Sequence, residues 1–102
     1  MALSSVITFR RSLHDQVWLH EALGFASAKD VIVLTEDAVQ DVMSPINLAS
    51  FLAKCEGLGV TVMALDEDMR ERGVTRNPLN IPVVDRTHLV QLFQSSAKHV
   101  AW

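Results

Sequence analysis

The sequence predicts an α/β fold with a mostly parallel sheet flanked by helices. Three observations carry that prediction. Short apolar runs rich in β-branched residues recur at Val6–Phe9, Val31–Leu34, Val60–Leu65 and Ile81–Val84. Segments with helical periodicity or helix caps separate them. Val31–Leu34 is apolar without interruption, as a central strand covered on both faces is. Alternation of this kind gives a parallel sheet with helices on both faces, joined by right-handed crossovers.

Taken in order, the first strand runs from about Leu3 to Phe9, and Arg10 and Arg11 end it. Ser12 then caps a helix, with Asp15 three residues on in a near capping box. Leu19, Ala22, Leu23 and Ala26 form its apolar face, flanked by Trp18 and Phe25. The second strand, Val31–Leu34, ends in Thr35-Glu36-Asp37, and Ala38 to Met43 is a short helical turn or a loop. Ser44-Pro45 opens the cleanest amphipathic helix, because proline at the first helical position has no N–H to waste. Leu48, Phe51, Leu52 and Cys55 are its apolar stripe, and Gly57 and Gly59 stop it.

Val60–Leu65 is the next buried strand, and Asp66 is placed to cap the helix after it. Asp66, Glu67 and Asp68 fall in that helix's first turn and Arg70 and Arg72 in its last, matching the macrodipole. Asp68 and Arg72 stand i, i+4, and Gly73 is the C-cap. Pro82 confines the last short strand to an edge or delays its start. Asp85 or Thr87 opens a final helix through Leu89, Val90, Leu92 and Phe93. The carboxyl ends of the strands gather Phe9–Arg11, Thr35–Asp37 and Leu65–Asp68 at one edge, where ligands and partners of open α/β sheets collect.

The 102 residues suit one domain over residues 1–102, and 49% hydrophobic with 21% charged residues is a globular balance. A net charge of −3, with Arg10 and Arg11 the sole adjoining basic pair, argues against direct non-specific nucleic-acid binding. The single cysteine excludes an internal disulfide. No signal-peptide pattern and no membrane-length apolar run is present, so the expected location is the cytoplasm.

Each candidate for chemistry has a plainer reading. Cys55 is the only thiol, but it lies on an apolar stripe beside Glu56, which fits a buried structural residue. Glu36, Asp37, Asp66 and Asp68 invite a phosphoryl site with Mg²⁺, yet such a site needs a basic partner near the last strand, where Ile81 to Asp85 holds no lysine, and the acids fit strand ends and helix caps. His14, His20, His88 and His99 lack ligand spacing, and neither a metal set nor a cofactor-binding loop is expected. Trp102 is a costly surface to leave in water, so it docks either on its own domain or on a partner.

Ile7-Thr8-Phe9-Arg10-Arg11-Ser12, Asp30 to Val39, Val62 to Gly73 and Ala101-Trp102 together resemble the DsrH/TusB family of sulfur-relay subunits. The Val62–Gly73 stretch is the closest match, and the resemblance covers nearly the whole chain. It implies a small DsrE-like three-layer fold. It also implies a place beside paralogous DsrE/DsrF-like (TusD/TusC-like) subunits in a heterohexamer. There, persulfide sulfur passes toward 2-thiouridine at the tRNA wobble position, with tRNA reached only through the relay. A DsrH-like role in sulfur oxidation, a stand-alone α/β binding module and a homo-oligomer are the alternatives. Some DsrH proteins carry a cysteine in the first helix; Ala22 stands at that position, which favours a subunit without catalytic activity of its own. Asp-Gly-Val of the family becomes Asp37-Ala38-Val39, so the turn after the second strand need not use positive φ. The expected structural or interface residues are Asp37, Asp66, Asp68, Arg72 and Trp102.

Overall fold

Four strands form at the apolar runs: β1 (Val6–Phe9), β2 (Val31–Leu34), β3 (Thr61–Leu65) and β4 (Val83–Val84). A fifth, β5 (His99–Ala101), follows the final helix, where the sequence predicts no strand. They come from a computed structural model that describes residues 5–12 and 28–102. The helix predicted from Ser12, with its apolar face, Ala22, His14 and His20, falls outside the described residues.

The sheet order is β4-β3-β2-β1-β5, and every pairing is parallel. β2 is central, and Val31 to Leu34 are all buried, as an uninterrupted apolar run requires. β4 is an edge strand that starts after Pro82, so both consequences of that proline hold. β5 carries no sequence signal because three residues are too few to show a period, and Val100 alone turns toward the larger core.

Side chains alternate between the faces. Ile7, Phe9, Ile32, Leu34, Val62 and Ala64 form the larger core with Leu48, Phe51 and Cys55 of α1 (Pro45–Leu58). A 3-10 helix, Glu36–Met43, adds Ala38, Val39 and Val42 to the same face. Val6, Val31, Val33 and Leu65 form the smaller core with Leu89, Leu92 and Phe93 of α3 (Arg86–Ser95). The short α2 (Asp66–Glu71) contributes Met69 to the larger core.

The caps agree with the sequence in part. Ser44 and Pro45 open α1 as expected. Gly59 stops it at φ +76°, its N–H reaching the Cys55 and Glu56 carbonyls, whereas Gly57 lies inside the helix. Asp85 caps α3 by accepting from the His88 N–H at 2.7 Å. Asp66 does not cap α2: Leu65 holds the N-cap position and Asp66 is the first helical residue. The strand runs directly into the helix and leaves no extended residue between them for a side-chain cap. Arg72 is the C-cap of α2 and Gly73 follows it at φ +66°.

The two glycines at the end of α1 predict opposite substitution effects. Gly59→Ala places a Cβ 3.4 Å from that of Ala28 in a left-handed backbone, and is expected to cost about 1–2 kcal/mol. Gly57→Ala meets open space in a helix and is expected to gain up to about 1 kcal/mol. Urea unfolding of both variants checks the pair of signs.

Candidate functional site at the carboxyl edge

A parallel sheet delivers every strand's carboxyl end to one edge, and the acids after β3 are distributed there among separate tasks. Asp66 pairs with Arg70 one helical turn on, at 2.7 Å, and both side chains are substantially exposed. Such a pair is worth about 0.3–0.5 kcal/mol. Glu67 accepts the backbone N–H of Arg86, the first residue of α3, at 3.0 Å. That hydrogen bond, before any other cause, holds the Glu67 carboxyl below its usual range.

Asp68 is buried and accepts the Glu36 N–H at 2.7 Å. Its other oxygen lies 3.8 Å from the Arg86 guanidinium. Glu36 has φ +48°, a conformation that costs an ordinary L residue about 1–2 kcal/mol. A charge-assisted bond from this very residue offsets that strain. The turn after β2 thus does use positive φ, but at Glu36 and not at Ala38.

The i, i+4 pairing of Asp68 with Arg72 does not form through their side chains. Arg72 instead donates from Nε to Asp37 at 3.4 Å, with Glu71 at 3.7 Å from its Nη1. Asp68 is already committed to Glu36 and Arg86, so Arg72 turns to the start of the 3-10 helix. β1 joins the edge as Thr35 donates to the Phe9 carbonyl from both its N–H (2.8 Å) and its hydroxyl (3.0 Å).

Between α3 and these strand ends lies an open cleft of about 430 Å³. Thr8, Thr35, Asp68, Arg72, Arg86 and His99 line it among others. The His99 ring sits 4.2 Å from that of Phe93, with Nε2 3.3 Å from the Thr8 hydroxyl. Thr8, Arg86 and His99 carried no sequence signal as edge residues. Only the cap at Asp85 pointed toward Arg86; the rest depends on strand pairing across most of the chain. Among the described residues no group of three or more His, Cys, Asp or Glu could hold a metal ion. The cleft's acids and bases answer one another, and it presents no thiol.

Cys55 lies on the other face of the sheet, in the larger core. It is 1% exposed, and burial pushes its thiol up to about 11. It forms part of the floor of a separate groove of about 240 Å³ beside Ile81 and Pro82. Trp102 packs against the larger core, and its backbone bonds both to the Thr8 carbonyl (2.8 Å) and from the Arg10 N–H (3.0 Å). The indole therefore docks on its own chain.

The family model described as DsrH like protein matches residues 11–99. Among solved structures, the YchN protein from E. coli is similar at a TM-score of 0.71 with 14% identity, over 100% of each chain. At that identity the likeness shows the fold alone. No curated protein matches the chain.

Two expectations follow for the edge. Asp68→Ala removes a charge-assisted bond from a strained residue and is expected to cost about 1.5–3 kcal/mol, whereas Asp66→Ala stays within about 0.5 kcal/mol, both read by urea unfolding. Because its carboxyl is held below the usual range, Glu67 contributes stability above that range and loses it as pH falls through the depressed value. Glu67→Gln is expected to lower Tm at neutral pH and to flatten the fall of Tm on acidification.

Proposed function

The chain belongs to the DsrH-like protein family, and from that premise we propose that it is a non-catalytic subunit of a sulfur-relay complex serving 2-thiolation of the wobble uridine of tRNA. The observation that carries the non-catalytic part is the state of Cys55. Sulfur relays work through thiolates and persulfides, and this chain has one cysteine. That cysteine is buried in a core with its pKa raised to about 11, so roughly one thiol in ten thousand is ionised at neutral pH. The attacking sulfur then belongs to a paralogous DsrE- or DsrF-like subunit, and this chain shapes and covers the partner's site.

In this reading Asp37, Asp66, Asp68 and Arg72 keep the carboxyl edge in shape for assembly, and Trp102 fixes β5 against β1. The net charge of −3 supports contact with tRNA only through the relay. Among the described residues no helix is long and apolar enough to cross a membrane. The proposed setting is a cytoplasmic hetero-oligomer.

Co-expression with two paralogous subunits tests the assignment directly. The chain is expected to co-purify with both, and a monomer indifferent to them contradicts the reading. In the assembled complex, Cys55→Ala is expected to keep at least half the wild-type sulfur transfer. Mass spectrometry after incubation with a cysteine desulfurase and its substrate is expected to find no added sulfur atom on Cys55. A persulfide at Cys55, lost together with activity in Cys55→Ala, would falsify the non-catalytic role.

A further inference from the structure

The two edges of the sheet are finished differently. At β4, Pro82 and Val84 turn their backbone toward β3, as the bond from the Ala64 N–H to the Pro82 carbonyl fixes, so Ile81 and Val83 face outward. The Asn77 side chain takes both outward groups of Ile81: its amide donates to the Ile81 carbonyl at 2.8 Å and its oxygen accepts the Ile81 N–H at 2.9 Å. The Asn77 side-chain amide therefore blunts this edge at Ile81.

At β5 no such device exists among the described residues. Lys98, Val100 and Trp102 turn their backbone to β1, fixed by the Val6 N–H to Lys98 carbonyl, Trp102 N–H to Thr8 carbonyl and Arg10 N–H to Trp102 carbonyl bonds. The N–H and C=O groups of His99 and Ala101 point away from the sheet, on exposed residues. No described strand pairs with them. Directly beside this edge, on the larger-core side, is a mainly apolar pocket of about 320 Å³ lined by Ser5, Ile7, Lys98, Val100 and Trp102. Its described lining holds a lysine and no carboxylate.

We propose that the outer edge of β5 receives an extended, acidic and apolar segment of another polypeptide as an added strand. The open backbone of His99 and Ala101 supplies the ladder, and the pocket takes an apolar side chain from alternate positions of the incoming strand. Lys98, on the same face of the strand as the pocket, selects a carboxylate two residues along the incoming strand from the apolar anchor. A second copy of this chain is a poorer occupant. Its own β5 region, Lys98 to Trp102, has no acidic side chain, and its Trp102 is already packed on its own core. The surface stands on the edge geometry and does not depend on the sulfur-relay reading.

The test is fluorescence anisotropy of a labelled peptide with valine and glutamate two residues apart and threonine between and around them, so that both face the pocket side, titrated with the full chain. The same peptide with lysine in place of glutamate is the control. Saturable binding of the glutamate peptide, at least tenfold tighter than the lysine peptide, is expected. Ala101→Pro removes one outward N–H, leaves the bonds to β1 in place, and is expected to weaken binding at least tenfold. Lys98→Glu changes only an exposed side chain and is expected to reverse the preference between the peptides. Absence of saturable binding, equal binding of both peptides, or equal binding by a folded Ala101→Pro variant overturns the proposal. Sedimentation velocity identifies the other occupant: a dimer that Ala101→Pro converts to monomer would make this edge a contact between copies, and the proposal would fall.

Discussion

The Asp68 carboxylate holds the carboxyl edge together. It sits in the first turn of α2, it is buried, and it reaches the N–H of Glu36 at the end of β2. Glu36 is in a left-handed conformation that its own side chain disfavours, so the turn into the 3-10 helix depends on that bond. The 3-10 helix in turn brings Ala38, Val39 and Val42 onto the larger core. Beside it, Glu67 fastens the start of α3, which covers the other face of the sheet. Two adjacent acids thus tie the layers on both sides of the sheet to the end of one strand. Acidic residues at such an edge are more often read as ligands for a cation. Here Glu67 and Asp68 each accept a backbone N–H, Asp68 also faces Arg86, and the edge is built from these contacts.

How much of this was legible depended on the range of the interaction. Local physics placed β2 from its unbroken apolar run, α1 from Ser44-Pro45 and the Leu48–Phe51–Cys55 stripe, and the Asp85 cap, because each is decided within a few residues. The same local rules failed where a distant partner outcompeted a near one. Arg72 was matched to Asp68 by helical spacing, but the sheet carries Asp68 to Glu36, 32 residues away, and Arg72 to Asp37, 35 residues away. Thr8 and His99 meet across 91 residues, on a strand of three residues that has no period to detect. Asp66 failed as a cap because β3 passes into α2 without an intervening extended residue, a backbone detail that its side chain does not announce.

The same fold decides what the lone cysteine can do. α1 turns Cys55 inward with Leu48 and Phe51, where desolvation disfavours the thiolate. A relay nucleophile needs the reverse, an accessible sulfur in an electropositive setting. Two basic side chains at the carboxyl edge, Arg72 and Arg86, are engaged with acids on the cleft side of the molecule. Thiol and positive charge are therefore kept apart by the architecture, which supports the scaffolding role proposed above.

That separation can be measured on the protein alone, by following iodoacetamide alkylation of Cys55 in the native state across pH by mass spectrometry. Negligible labelling through neutral pH, a rise only toward a pKa of about 11, and full labelling of the unfolded chain at once are expected. Rapid native labelling at neutral pH, with a midpoint at or below the ordinary thiol value of about 8.5, would contradict it.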